Sequence, residues 1–131
     1  MSTRFKRRGR SGKLLYCIMA NSFVNKKADL TSTSATTLYT VPTATTAVIK
    51  SILVSEDSGN ADTITVTITD TDDAVFSLFK TKSISANATT ELLSQPLVAK
   101  ESEVIKVTAA TANRLHVVLS ALEIKPREVT T

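Results

Sequence analysis

The sequence predicts an all-β domain, an antiparallel β-sandwich or jelly roll of seven to eight short strands preceded by a flexible N-terminal arm. Three observations carry that prediction. Thr is the commonest residue, and branching at Cβ suits a pleated, half-buried surface. Apolar runs of five to ten residues recur at short spacing from residue 37 onward, separated by clusters of Asn, Asp and Ser, the rhythm of strands joined by tight turns. Beyond residue 28, no segment sustains the helical period between capping residues.

The chain divides by charge into residues 1–28, a basic arm; residues 29–124, the β domain; and residues 125–131, a C-terminal tail. Residues 1–18 carry Arg4, Lys6, Arg7, Arg8, Arg10 and Lys13 and no acid, which is +6, whereas the other 10 basic and 12 acidic side chains sum to −2. The net charge of +4 therefore belongs to the arm. Such a segment reads as a disordered tail able to lie on nucleic-acid phosphate or an acidic neighbour. It also reads as a misassigned start with Met19 as the true one. A secretory signal is a poorer fit, because the apolar run of residues 14–20 has no small-x-small cleavage site after it, and Arg7-Arg8 lacks the context of a twin-arginine signal.

Residues 31–37, Thr-Ser-Thr-Ser-Ala-Thr-Thr, form a polar lead-in suited to lying extended on a neighbour, with Thr31 and Thr33 as contact candidates. Strands follow at residues 37–41, 47–55, 63–70, 74–80, 90–93, 104–109 and 114–124. The clearest is residues 63–69, in which Ile64, Val66 and Ile68 alternate with four Thr, the period of two of a half-buried strand. Asp62 and Asp70 bracket it as gatekeepers against cross-β pairing. Ile105, Val107 and Ala109 repeat the alternation. Residues 48–54 and 115–119 are apolar on both faces, which marks central strands or strands whose outer face meets a partner. Val48, Ile52, Val54 and Val118 are the assembly contacts this implies. Turns fall at residues 57–60, 70–73 and 85–88, and Pro42 and Pro96 sit at strand ends, where a missing amide is tolerated.

No constellation declares a chemistry, so no enzyme, cofactor or metal is expected. The one histidine, His116, lies mid-strand, and no Ser stands on a strained elbow. Asp70, Asp72 and Asp73 lack the Gly and distal Glu of a dedicated calcium loop. There is no Gly-rich phosphate loop, and Tyr39, Phe76 and Phe79 sit in apolar runs rather than on a stacking platform. With a single cysteine, Cys17, an internal disulfide is excluded.

Two stretches resemble a known group. Leu38-Tyr39-Thr40-Val41-Pro42, with the run from Thr45 through Val54, is similar to the opening of small β-sandwich structural proteins of tailed-bacteriophage virions. The run from Ser83 through Leu93, then Pro96-Leu97-Val98 and Glu103-Val104-Ile105-Lys106-Val107, resembles that group's later loop and strands. The likeness spans residues 27–124 and is one of layout. Thr43 after Pro42, and Lys100-Glu101-Ser102-Glu103 in place of a Gly-Asp turn, depart from the pattern and put local turn geometry in question.

The resemblance implies a virion subunit present in many copies, above all a capsid decoration or cement protein assembled in the host cytoplasm. Its partners would be itself, with a homotrimer favoured, and the major capsid protein; no membrane partner is expected. A tail, baseplate or fibre component is the alternative. A carbohydrate-binding attachment module is disfavoured by the absence of Trp, since sugars stack on exposed aromatics.

Overall fold

A computed structural model describes residues 17–128, with side chains described over residues 21–125. The described residues form nine strands: β1 (Cys17–Asp29), β2 (Thr36–Thr40), β3 (Thr46–Glu56), β4 (Asp62–Thr69), β5 (Val75–Ile84), β6 (Thr89–Glu91), β7 (Leu97–Ala99), β8 (Val104–Ala109) and β9 (Leu115–Glu128). The first sheet runs β1-β9-β3-β6, with β7 also paired to β3, and the second runs β2-β8-β4-β5. Every pairing is antiparallel. When β6 and β7 are taken as halves of one edge strand, successive strands cross between sheets except at the β4–β5 hairpin. That is jelly-roll topology, and the all-β sandwich expectation holds.

The inner faces make one core. The first sheet contributes Ala47, Ile49, Ile52, Val54, Leu115, Val117 and Leu119, and the second Tyr39, Ile64, Val66, Ile105 and Val107, all buried. Strands β4 and β8 achieve this by simple alternation, as their sequences predict. Strand β3 does not. Ala47 and Ile49 point inward, and so do Ile52, Val54 and Glu56, which one uninterrupted period of two cannot arrange. A register shift opposite Ser120/Ala121 pairs Ser120 with Ser51 and Ala121 with Ile49, leaving Lys50 as the extra residue of a β-bulge. The two-sided apolar run at residues 48–54 is thus partly a change of phase. Ile52 and Val54, expected from sequence as assembly contacts, are fully buried in the chain's own core; Val48 and Leu53 face out.

Residues 17–28, assigned to the arm from sequence, pair with β9 along its length, from His116 opposite Asp29 to Glu128 opposite Cys17. The strand escapes pattern reading because only Val24 and Ala28 pack on the core, while Phe23, Asn25, Lys26 and Lys27 are exposed. Its ladder comes from a distant partner rather than from its own alternation. The same pairing takes Lys125 through Glu128 out of the expected tail. Residues 1–16 and 129–131 lie outside the described residues, and with them Arg4, Lys6, Arg7, Arg8, Arg10 and Lys13.

Asp62 and Asp70 serve the loops rather than guarding an edge. Asp62 Oδ2 accepts from Thr111 N at 3.1 Å, and Asp70 Oδ1 accepts from Asp72 N at 2.9 Å and Ala74 N at 3.0 Å. The edge guards are Lys80 and Lys82 on the exposed strand β5, where charge discourages pairing with another chain. Thr81 sits there with φ 47° at an interruption of the β4–β5 register, and its amide is taken by Thr65 Oγ1 at 3.1 Å.

Candidate functional site

Three carboxylates occupy positions that could carry chemistry, and each is spent on the fold. Glu56, at the end of β3, is buried. It accepts from Ser58 N at 2.8 Å, Asn87 N at 2.8 Å and Gly59 N at 3.2 Å, and from the Ser58 hydroxyl. Burial pushes its pKa up, but the donors outweigh burial and hold it down at about 2. The carboxylate clamps two loops, 57–60 and 85–88.

Glu91 bridges the gap between β6 and β7. Its Oε2 accepts from Ile52 N at 2.9 Å and Leu93 N at 3.1 Å, and Oε1 accepts from the Ser51 hydroxyl. Here a side chain supplies the acceptor that a continuous edge strand would have offered. Burial opposes ionisation, yet the bonds from Ser51, Ile52 and Leu93 hold its pKa below the usual carboxylate range.

Glu123 points into the core from β9, where the Tyr39 hydroxyl of the opposite sheet donates to its Oε2 at 2.6 Å and Lys125 Nζ lies 3.7 Å from Oε1. Burial, with the bond to Glu123 and its charge, raises the Tyr39 pKa well above its ordinary value. The pair staples the sheets together at one end. His116 is half exposed, with Nε2 3.3 Å from Asp29 Oδ1 and Nδ1 3.4 Å from Asp57 Oδ2, so it ties β9 to β1 and to the loop after β3. Among the described residues, no group of three or more His, Cys, Asp or Glu is placed to hold a metal, and no helix is long and apolar enough to cross a membrane.

The outer face of the first sheet presents a surface. Directly paired residues of antiparallel neighbours lie on the same side of a sheet, so the register defines rows across the outer face of the first sheet. One row runs Val98–Val48–Leu122–Phe23 over β7, β3, β9 and β1. A second runs Glu91–Leu53–Val118–Lys27 over β6, β3, β9 and β1. Between them lie Ser51, Ser120 and Asn25. Phe23 is 78% exposed, Val98 55% and Leu53 38%; Val48, Val118 and Leu122 are half-buried. A depression of about 220 Å³ lined by Phe23, Asn25, Lys50 and Ser120 interrupts this face. It falls below the roughly 300–1,000 Å³ typical of small-molecule pockets.

Of the expected assembly contacts, Val48 and Val118 thus lie on one outer face. Thr31 and Thr33 are exposed in the segment after β1, outside these rows. Sequence reasoning missed Phe23, Leu53, Leu122 and Val98. Phe23 was hidden by the basic composition around it, and Leu53 by the phase change at Lys50. The other exposed apolar pair, Val75 and Phe76, are consecutive on β5 and so point to opposite faces; they form no patch.

No family model matches the chain, and no curated protein matches it. Among solved structures, it is similar to a chain of the Bacillus endospore appendages, described as a novel family of disulfide-linked pili, at 9% identity and TM-score 0.46 over 93% of this chain and 96% of that one. It is also similar to a chain of the Cyanophage Pam1 capsid asymmetric unit, at 16% identity and TM-score 0.36 over 90% of this chain and 91% of that one. At these values neither likeness carries an argument about function.

Proposed function

We propose that this chain is a non-catalytic structural subunit of a bacteriophage virion, a capsid decoration or cement protein that stabilises the head by binding copies of itself and the major capsid protein. The jelly roll does not choose this function, since lectins and enzymes use it too. The supporting observation is the outer face of the first sheet, where two rows place six apolar side chains on the solvent side of strands whose inner side is already buried. A face of that kind marks an interaction site. The virion setting comes from the sequence resemblance over residues 27–124, which favours a homotrimeric unit.

Counting copies in purified phage particles that carry the protein tests the proposal. A number comparable with the major capsid protein supports a decoration role. One to a few dozen copies moves the protein to the tail, baseplate or fibre and overturns the decoration role. Absence from the particle overturns the virion reading.

A further inference from the structure

We infer that the outer face of the first sheet packs against the same face of a second copy, about a two-fold axis lying in the interface and running along the strands between β3 and β9. The inference rests on the reading of this face as an assembly surface and names its occupant.

The two rows are complementary to themselves. Rotation about such an axis reverses the order of each row while keeping rows opposite themselves. The row Glu91–Leu53–Val118–Lys27 then meets its own reverse, so Glu91 faces Lys27 at both ends and Leu53 faces Val118 in the middle. The row Val98–Val48–Leu122–Phe23 likewise sets Phe23 on Val98 and Val48 on Leu122. The charges at the ends of these rows meet their opposites and the apolar side chains meet one another, while Lys50, exposed at the depression between the rows, comes opposite Ser120 of the second copy. The other in-plane axis, across the strands, exchanges the two rows and sets Glu91 against Val98 and Lys27 against Phe23, so that neither charge meets its opposite across the interface. Strands stay aligned between the copies, the usual packing of stacked sheets.

The bulge at Lys50 makes this possible. It restores Val48 and Leu53 to one face although they are five residues apart, so that β3 matches Leu122 and Val118 of β9 in both rows.

The size is sufficient. Four strands at about 4.8 Å and the stretch of β3 opposite β9 at about 3.4 Å per residue cover roughly 600 Å² per copy, or about 1,200 Å² in all, the lower end of stable interfaces. An isologous contact of this kind closes at two copies. It leaves the edges β1, β2 and β5 free for other neighbours, including any three-fold contact in a particle.

Cysteine cross-linking of the full chain tests the pairing. With Cys17→Ser as background, Phe23→Cys and Val98→Cys are introduced together. Within one chain these positions are three strand spacings apart, roughly 14 Å, beyond a short bismaleimide; across the pair they face each other at about the 10 Å of packed sheets. The expected product is a cross-linked dimer that grows no further, absent from either single-cysteine variant, with the circular dichroism spectrum and thermal midpoint of the parent. No cross-link in a folded double variant overturns the inference, and so does a ladder of longer species, which signals a head-to-tail contact. Either outcome leaves the copy-number test of the virion reading intact, and a dimer from a protein absent from particles would leave the pairing standing without that setting.

Discussion

Strand β4 in the second sheet turns Thr63, Thr65 and Thr67 outward and its neighbour β8 turns out Lys106 and Thr108, whereas β3 and β9 in the first sheet turn out Val48, Leu53, Val118 and Leu122. Both sheets contribute inner-face side chains to the one core. The difference lies in what the second face is for. Polar side chains finish β4 and β8 in water, while β3 and β9 keep apolar side chains on the side that the core does not need.

Deleting Thr65 from β4 breaks the comparison most severely. With Ile64 and Val66 adjacent, one of the two must turn outward and the residues beyond it change face, whereas deleting Lys50 from the bulge of β3 leaves Ile49 inward and Val48 outward. The loss should exceed about 4 kcal/mol, read as the absence of a cooperative denaturant transition. Ile52→Ala and Ile64→Ala come next: one residue from each sheet, both fully buried, each expected to cost about 2–5 kcal/mol in urea unfolding. Unequal losses would mean that the inner faces are not equivalent.

Tyr39→Phe should cost about 1–3 kcal/mol by leaving the buried Glu123 carboxylate without its donor. It also has a pH signature. Because the folded-state pKa of Tyr39 is raised from 10.0, its contribution is complete below pH 10 and lost as pH rises further. Wild type should weaken in that alkaline range through this residue, and Tyr39→Phe should lack that component.

Acid sharpens the contrast between sheets. Glu56 falls from 4.5 to about 2 on folding, so its contribution is present above pH 4.5 and lost as pH drops toward 2; Glu91 shifts in the same direction. Both support the β3 side of the first sheet. Hydrogen exchange at pH 3 should therefore show the amides of Ile52, Ser58 and Asn87 losing protection before those of β4 and β8, and Glu56→Gln should flatten the acid dependence of stability.

The second sheet was readable because β4 and β8 each keep one period of two from end to end. The first was readable only in part. Residues 48–54 and 115–119 declared themselves central strands, but the bulge at Lys50 exchanged the roles of Ile52 and Leu53. Strand β1 has too few inward apolar residues to signal itself without β9 beside it. Glu56, Glu91 and Glu123 could not be singled out, since their roles depend on backbone amides and a hydroxyl brought from 31 to 84 residues away.

Sedimentation equilibrium of the full chain beside Leu53→Ser and Thr65→Ser measures the contrast directly. Both substitutions should change monomer stability little, by about 0.5 kcal/mol or less. Wild type and Thr65→Ser should approach twice the 14.1 kDa chain mass as concentration rises, while Leu53→Ser stays at the single-chain mass. A wild type that remains at 14.1 kDa throughout, or a Leu53→Ser variant that associates as wild type does, would contradict the assignment of the first sheet's outer face to self-association.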